Sequence, residues 1–189
     1  ANAGQNNAQF VTKSNLETYS EETYNDSFGY RESSYERSPL HRVSNVWEPG
    51  SDWVGDDYSV SYSYGFNNSA FPHYKAASGS NDTLVVINYS SDYAVGDLMC
   101  DEVTDEDGNS MITYKDKHGR IVAEERGNNC FTHYVYDSQG NLRAVLPPAL
   151  SEQLTAKGSW SNANNLLVRQ YAFLYSYDGK GQCTHKRMP

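Results

Sequence analysis

Polar and apolar residues alternate with a period of two in three stretches of the first half of the chain. Leu40-Arg42-Ser44 alternates with His41-Val43-Asn45, and Tyr58-Val60-Tyr62-Tyr64 with Ser59, Ser61 and Ser63. Thr83 to Tyr89 is the third run and is more continuously apolar. Side chains along a strand point to its two faces in turn, so the first two runs predict half-buried strands and the third a more central one. Residues 1–35 differ: rich in Asn, Ser, Glu and Gln, with scattered Tyr and no sustained period, they predict a polar, partly flexible lead-in.

The second half repeats a turn. Asp105-Glu106-Asp107-Gly108-Asn109, Asp116-Lys117-His118-Gly119-Arg120, Asp137-Ser138-Gln139-Gly140-Asn141 and Asp178-Gly179-Lys180-Gly181-Gln182 recur between strand-forming segments. The last three combine an Asp three residues before a Gly with a Tyr just upstream (Tyr114, Tyr136, Tyr177). This spacing predicts a hairpin turn: Asp accepts backbone N–H groups across the turn, and Gly takes the positive φ that closes it. The flanking strands Met111–Tyr114, Ile121–Ala123, Thr132–Tyr136 and Leu142–Leu146 then form a meander running from Leu98 to Leu146. Pro147-Pro148 stops the sheet and opens a helix over Ala149 to Lys157, with Leu150 and Leu154 on one face and Gly158 as its stop. Asn165 to Gln170 suits helix or strand, and Tyr171 to Tyr177 alternates into a last hairpin. Ending one strand later, at Pro189, the sequence reads as a fragment of something longer. The expected fold class is therefore mainly β, an antiparallel hairpin and meander sheet with one or two short helices. Its parts are the lead-in over 1–35, a β-rich region over 36–96, and hairpin repeats over 97–189 with a short helical insertion near 149–170.

Composition alters this picture at three points. Leu, Ile, Val and Phe are only about one residue in six of the 189, a level that warns of disorder when net charge is high. The 16 Tyr, against 6 Phe and 3 Trp, answer the warning, because rings with a polar tip can supply the buried area. The net charge of −9 makes the chain a poor ligand for nucleic acid, although the tail from Ser151 onward is net basic. No apolar run exceeds Leu84-Val85-Val86-Ile87, far short of a membrane span. Three cysteines (Cys100, Cys130, Cys183) without a Cys-x-x-Cys pair support neither a disulfide framework nor a zinc knuckle, and are expected to be buried or inert. Four Asn-x-Ser/Thr sequons (Asn25, Asn67, Asn81, Asn88) matter only in a eukaryotic secretory setting.

The segments YKDKHGRIV, THYVYDSQGNLRAVLPP and YSYDGKGQCTHKRMP resemble the RHS/YD-repeat family. Upstream, ERSPLHRVSNVWEPGSDW resembles the segment preceding the first repeats in large Bacteroidetes members, through Ser38-Pro39-Leu40, Arg42, Pro49-Gly50 and Trp53. The resemblance spans roughly Tyr30 to Pro189. It implies hairpins that coil into a hollow β-shell, able to enclose a C-terminal toxic or variable domain. The family's self-cleaving core carries an Asp-Pro-x-Gly motif, and no Asp-Pro dipeptide occurs here, which places that core and any effector outside this sequence.

Aligned on Gly108, an EF-hand would start at Val103 and end at Tyr114, so it fails at both ends; a looser calcium site on Asp101, Asp105 and Asp107 competes with a plain solvated turn, which is the expectation. Cys183 and His185 share a strand face while Cys130 and His133 do not, a poor basis for a metal centre. Asp56-Asp57, Asp101-Glu102 and Glu124-Glu125 are abundant carboxylates, but nothing in their spacing makes a catalytic pair, and no Gly-x-Ser-x-Gly elbow or phosphate loop occurs. The expectation is a non-enzymatic structural segment of a large exported or envelope-associated bacterial protein, with no cofactor and no metal. Its partners are the remainder of that protein, with self-association through an open edge strand, and neither nucleic acid nor a membrane span is involved. The alternative is a carbohydrate-binding or adhesive module in which Trp47, Trp53, Tyr62, Tyr64 and Trp160 stack on sugar rings.

Overall fold

The structure, a computed structural model, describes residues 11–55, 58–78, 85–127, 129–154 and 158–189. The fold is mainly antiparallel β, as expected, with four short helices rather than one or two. The chain forms two compact units, Ala1–Ser63 with Val103–Ser110, and Tyr64–Glu102 with Met111–Pro189.

The first unit opens with helix α1 (Lys13–Tyr24), where the sequence pattern predicted only a lead-in. Thr12 Oγ1 accepts the Asn15 amide at the helix start, and Asn25 adopts φ 54° at its end while its N–H bonds to Glu21 O. The helix has almost no apolar stripe, since only Ser20 is buried. Polar pairs hold it instead: Lys13 reaches Glu32 at 3.3 Å and lies over the Tyr30 ring, whose hydroxyl donates to Glu17. Strand β1 (Glu32–Tyr35) pairs with β2 (Val43–Trp47), placing Ser33 opposite Val46. The predicted strand start at Leu40 is not formed. Leu40 is exposed and His41 takes φ 50°, stacking on Tyr35, while Glu36 is bonded by Arg42. Helix α2 (Ser51–Gly55) follows, and Asp26 ties its first residue to the α1–β1 connector by accepting from both Phe28 N and Ser51 N. Strand β3 (Val60–Phe66) begins beside β2, with Val46 opposite Val60.

In the second unit, β4 (Phe71–Ser78) and β5 (Val85–Tyr93) form a long antiparallel pair. The predicted run Thr83 to Tyr89 is observed from Val85; Thr83 and Leu84 lie outside the described residues. Next come β6 (Met99–Thr104), β7 (Ser110–Lys115), β8 (Ile121–Arg126), β9 (Cys130–Tyr136) and β10 (Leu142–Leu146), successive meander strands as the turn spacing predicted. After Pro147, helix α3 is limited to Pro148–Ser151, shorter than predicted, and Leu154 is nevertheless buried; residues 155–157 lie outside the described residues. A short β11 (Ser159–Ser161) pairs with β5, α4 (Leu166–Tyr171) resolves the ambiguous Asn165 to Gln170 run as helix, and β12 (Phe173–Tyr177) with β13 (Cys183–Arg187) makes the last hairpin. The core gathers Val85 and Ile87 of β5, Val135 of β9, Ala144 and Leu146 of β10, Leu150, Val168 and Leu174. A second cluster holds Phe71, Leu98, Val122 and Ala123, with Tyr93, Tyr114 and Phe131 against it. Arg143 is buried among these strands without penalty, because its Nε donates to Tyr175 O and its guanidinium meets Asp137.

The four Asp-x-x-Gly turns share one hydrogen-bond circuit. In each, the Gly N–H bonds to the Asp carbonyl and the Asp N–H to the carbonyl of the residue after Gly, at 2.8–3.1 Å. The Asp Oδ1 meanwhile accepts two backbone N–H groups, as from His118 and Arg120 at Asp116, or Gln139 and Asn141 at Asp137. Gly119 and Gly140 sit at φ 77° and 88°. Gly119→Val and Gly140→Val are each expected to destabilise the protein by more than ~1 kcal/mol in denaturant titrations, since a β-branched residue is strained there. Wild-type midpoints for both variants would show the turns to be dispensable.

Candidate functional site

One strand places the chemistry of the second unit. β4 touches β9 through a parallel bridge between Lys75 and Tyr136, so that two similar segments, Phe71-Pro72-His73-Tyr74 and Phe131-Thr132-His133-Tyr134, are brought together. Around them opens a cleft of about 410 Å³, lined by Ser69, Phe71, Tyr74, Asn129, Phe131, His133, Ser151 and Glu152 among others. Its floor is aromatic. Phe71 stacks on Tyr114 at 4.7 Å and meets Phe131 edge-on at 5.6 Å. The His133 ring lies 5.2 Å from Tyr74, 5.5 Å from Phe71 and 5.9 Å from Phe131.

His133 is only 6% exposed, and burial lowers its pKa to about 4, so the ring is neutral at physiological pH. Among the described residues no side chain or backbone group hydrogen-bonds to that ring. Tyr74 is pushed up, chiefly by burial. Glu152 is exposed and is the lone formal charge on the lining.

A smaller hollow of about 40 Å³ is lined by His73, Tyr93, Asp116, Arg120 and Tyr136. Here the charged pair is already engaged. Asp116 is buried, which raises its pKa, but bonds from Arg120 and His118 outweigh this and hold it below the usual carboxylate range. Arg120 also lies over the Tyr136 ring at 5.0 Å, and His73 stacks on Tyr93 at 4.2 Å. This arrangement closes a turn onto the sheet.

The five aromatic residues singled out from the sequence are dispersed. Trp47 on β2 and Tyr62 on β3 are half-buried in the first unit. Trp53 on α2 is 43% exposed and meets Tyr58 nearly at right angles, at 6.3 Å. In the second unit Tyr64 is half-buried, and Trp160 on β11 packs against the core and the edge of Tyr74. None of the five lines the cleft. The repeated Phe-x-His-Tyr spelling at 71 and 131 was the available signal for it.

The remaining candidates fall into place separately. Asp101 is paired with Lys115, and Asp105 spends its carboxylate on Asp107 N, Asn109 N and Asn109 Nδ2 inside the turn. Among the described residues no group of three or more His, Cys, Asp or Glu side chains is arranged to hold a metal. Cys130 and Cys183 are exposed rather than buried, because each opens a strand directly after a turn; Cys100 is half-buried, and burial with the nearby Asp101 and Glu102 raises its thiol to about 11. Asn67 is a structural residue. Its amide donates to Ser69 O and Ala94 O and accepts from Leu98 N, fastening the loop before β6.

A family model described as a domain of unknown function (DUF6443) matches residues 1–66, the segment from the N-terminus through β3. No curated protein matches the chain. No helix among the described residues is long and apolar enough to cross a membrane.

Proposed function

We propose that this chain is a non-enzymatic structural segment of a large exported or envelope-associated bacterial protein of the RHS/YD-repeat type, contributing hairpins to a β-shell that can enclose a C-terminal effector. The observation that carries this reading is the fourfold recurrence of one turn circuit, at Asp105, Asp116, Asp137 and Asp178, each closing a hairpin with Gly at positive φ. A wall built by adding hairpins repeats one local solution, because every added hairpin must turn within a few residues and still satisfy its backbone. The large tyrosine complement suits such a wall, since Tyr136 and Tyr114 each use ring area for packing and their hydroxyls for bonds, to Ile121 O and Glu125 respectively.

Electron cryo-microscopy of the complete gene product tests the proposal. The expected result is a hollow β-shell with hairpins 105–109, 116–120, 137–141 and 178–182 in its wall. A full-length protein in which these hairpins form a separate closed domain outside any shell would overturn it.

A further inference from the structure

We infer that the cleft formed by Phe71, Tyr74, Phe131 and His133 is a binding site for an uncharged sugar ring. The inference starts from His133. A neutral imidazole carries one N–H donor and one lone pair; no sealed side-chain nitrogen or oxygen among the described residues lacks a partner, so the His133 ring nitrogens, which no protein group bonds, remain accessible and available to a ligand. His133 is buried, walled by three aromatic rings, lines the cleft and has no hydrogen-bond partner among the described residues. Asn67, Asp116, Arg143 and Ser161, buried polar side chains of the same unit, all have protein partners.

The rest of the lining selects the class of ligand. Ser69 and Asn129 each offer both a donor and an acceptor, Ser151, whose hydroxyl donates to Leu146 O, offers an acceptor, and Glu152 offers acceptors only. A hydroxyl group donates and accepts at once, so a polyol matches this mixture. A primary alkylammonium ion only donates and a quaternary one makes no hydrogen bond through its nitrogen, so either would leave the imidazole N–H and the Asn129 amide N–H groups idle. An anion meets the Glu152 carboxylate with no cation on the lining to balance it, in a chain of net charge −9. The aromatic floor adds a surface for the C–H face of a ring, and the volume lies within the roughly 300–1,000 Å³ of small-molecule sites. The site therefore fits the terminal pyranose of a neutral glycan. It is independent of the shell reading.

The test uses the full chain with labelled histidines, titrated with the methyl glycosides of glucose, galactose, mannose and N-acetylglucosamine while the five imidazoles are followed by NMR. The expected result is a saturable shift of His133 with at least one glycoside, in the millimolar range, and binding of glucuronate and choline at least about tenfold weaker. Glu152→Ala, at an exposed position, is expected to weaken binding several-fold with the fold unchanged, and His133→Phe to abolish it while keeping the aromatic packing. The inference is overturned by the absence of any His133 response to the four glycosides. It is equally overturned by choline or glucuronate binding as tightly as the sugar, by a response to benzyl alcohol alone, or by unchanged binding in both variants.

Discussion

Acidification from pH 6.5 to about 4 will cost the folded protein up to about 3 kcal/mol through His133 alone, and His133→Phe will remove that part of the loss. The sign follows from burial. The imidazole is held neutral among Phe71, Tyr74 and Phe131, so its pKa falls from 6.5 to about 4 on folding. Between those values the unfolded chain binds a proton that the folded chain does not, and stability decreases as the pH drops; above 6.5 neither state is protonated and the effect vanishes. His73, lowered by burial and by Lys75 and Arg120, acts in the same direction but is less buried. The lowered carboxylates follow later: Glu36, held down to about 2 by Arg42, and Asp116 lose their contributions as the pH falls further. Urea titrations of wild type and His133→Phe at pH 7, 5.5 and 4.5 separate the two. Parallel losses of stability in both proteins would show that His133 is not held neutral by its cage.

The parts of the fold legible in the sequence are those whose energetics close locally. An Asp-x-x-Gly turn makes its own hydrogen bonds within five residues, so residue identity alone predicts it, and the four hairpins appear where the spacing put them. Pro147-Pro148 likewise ends β10 by removing a donor, whatever surrounds it. Helix α1 was illegible for the opposite reason. Its contacts are Lys13 with Glu32, Glu17 with Tyr30, and a buried serine, none of which leaves an apolar period in the sequence. The cleft was illegible because it depends on β4 lying beside β9, which joins Phe71 to Phe131 and His133 across some 60 residues of chain. Strand spacing marks which residues share a face, but not which hairpin lies next to another. A buried His133 and an exposed Trp53 could not be told apart by composition.

Gly29→Ala will destabilise the first unit by about 1–3 kcal/mol, although Gly29 is exposed and alanine is ordinarily a mild replacement. A Cβ built on Gly29 falls 1.7 Å from Ser20 Oγ and 2.7 Å from Ser20 Cβ, distances that require the helix or the connector to move. Rotating the serine hydroxyl away removes the first clash but not the second. α1 has few other anchors, its exposed pair Lys13–Glu32 being worth a fraction of a kcal/mol, so a displaced Ser20 undocks the helix rather than being absorbed by a core. Ser20→Gly alone is expected to cost about 1 kcal/mol through helix propensity. Combined with Gly29→Ala it leaves only the Ser20 Cα position, 3.9 Å away, in ordinary contact with the new methyl group. The double variant should therefore be more stable than the sum of the two single losses, a favourable coupling that thermal melts of the four proteins would measure. Strict additivity would mean that α1 does not pack on Gly29, and that the N-terminal part of the segment matched as a domain of unknown function is held by other contacts.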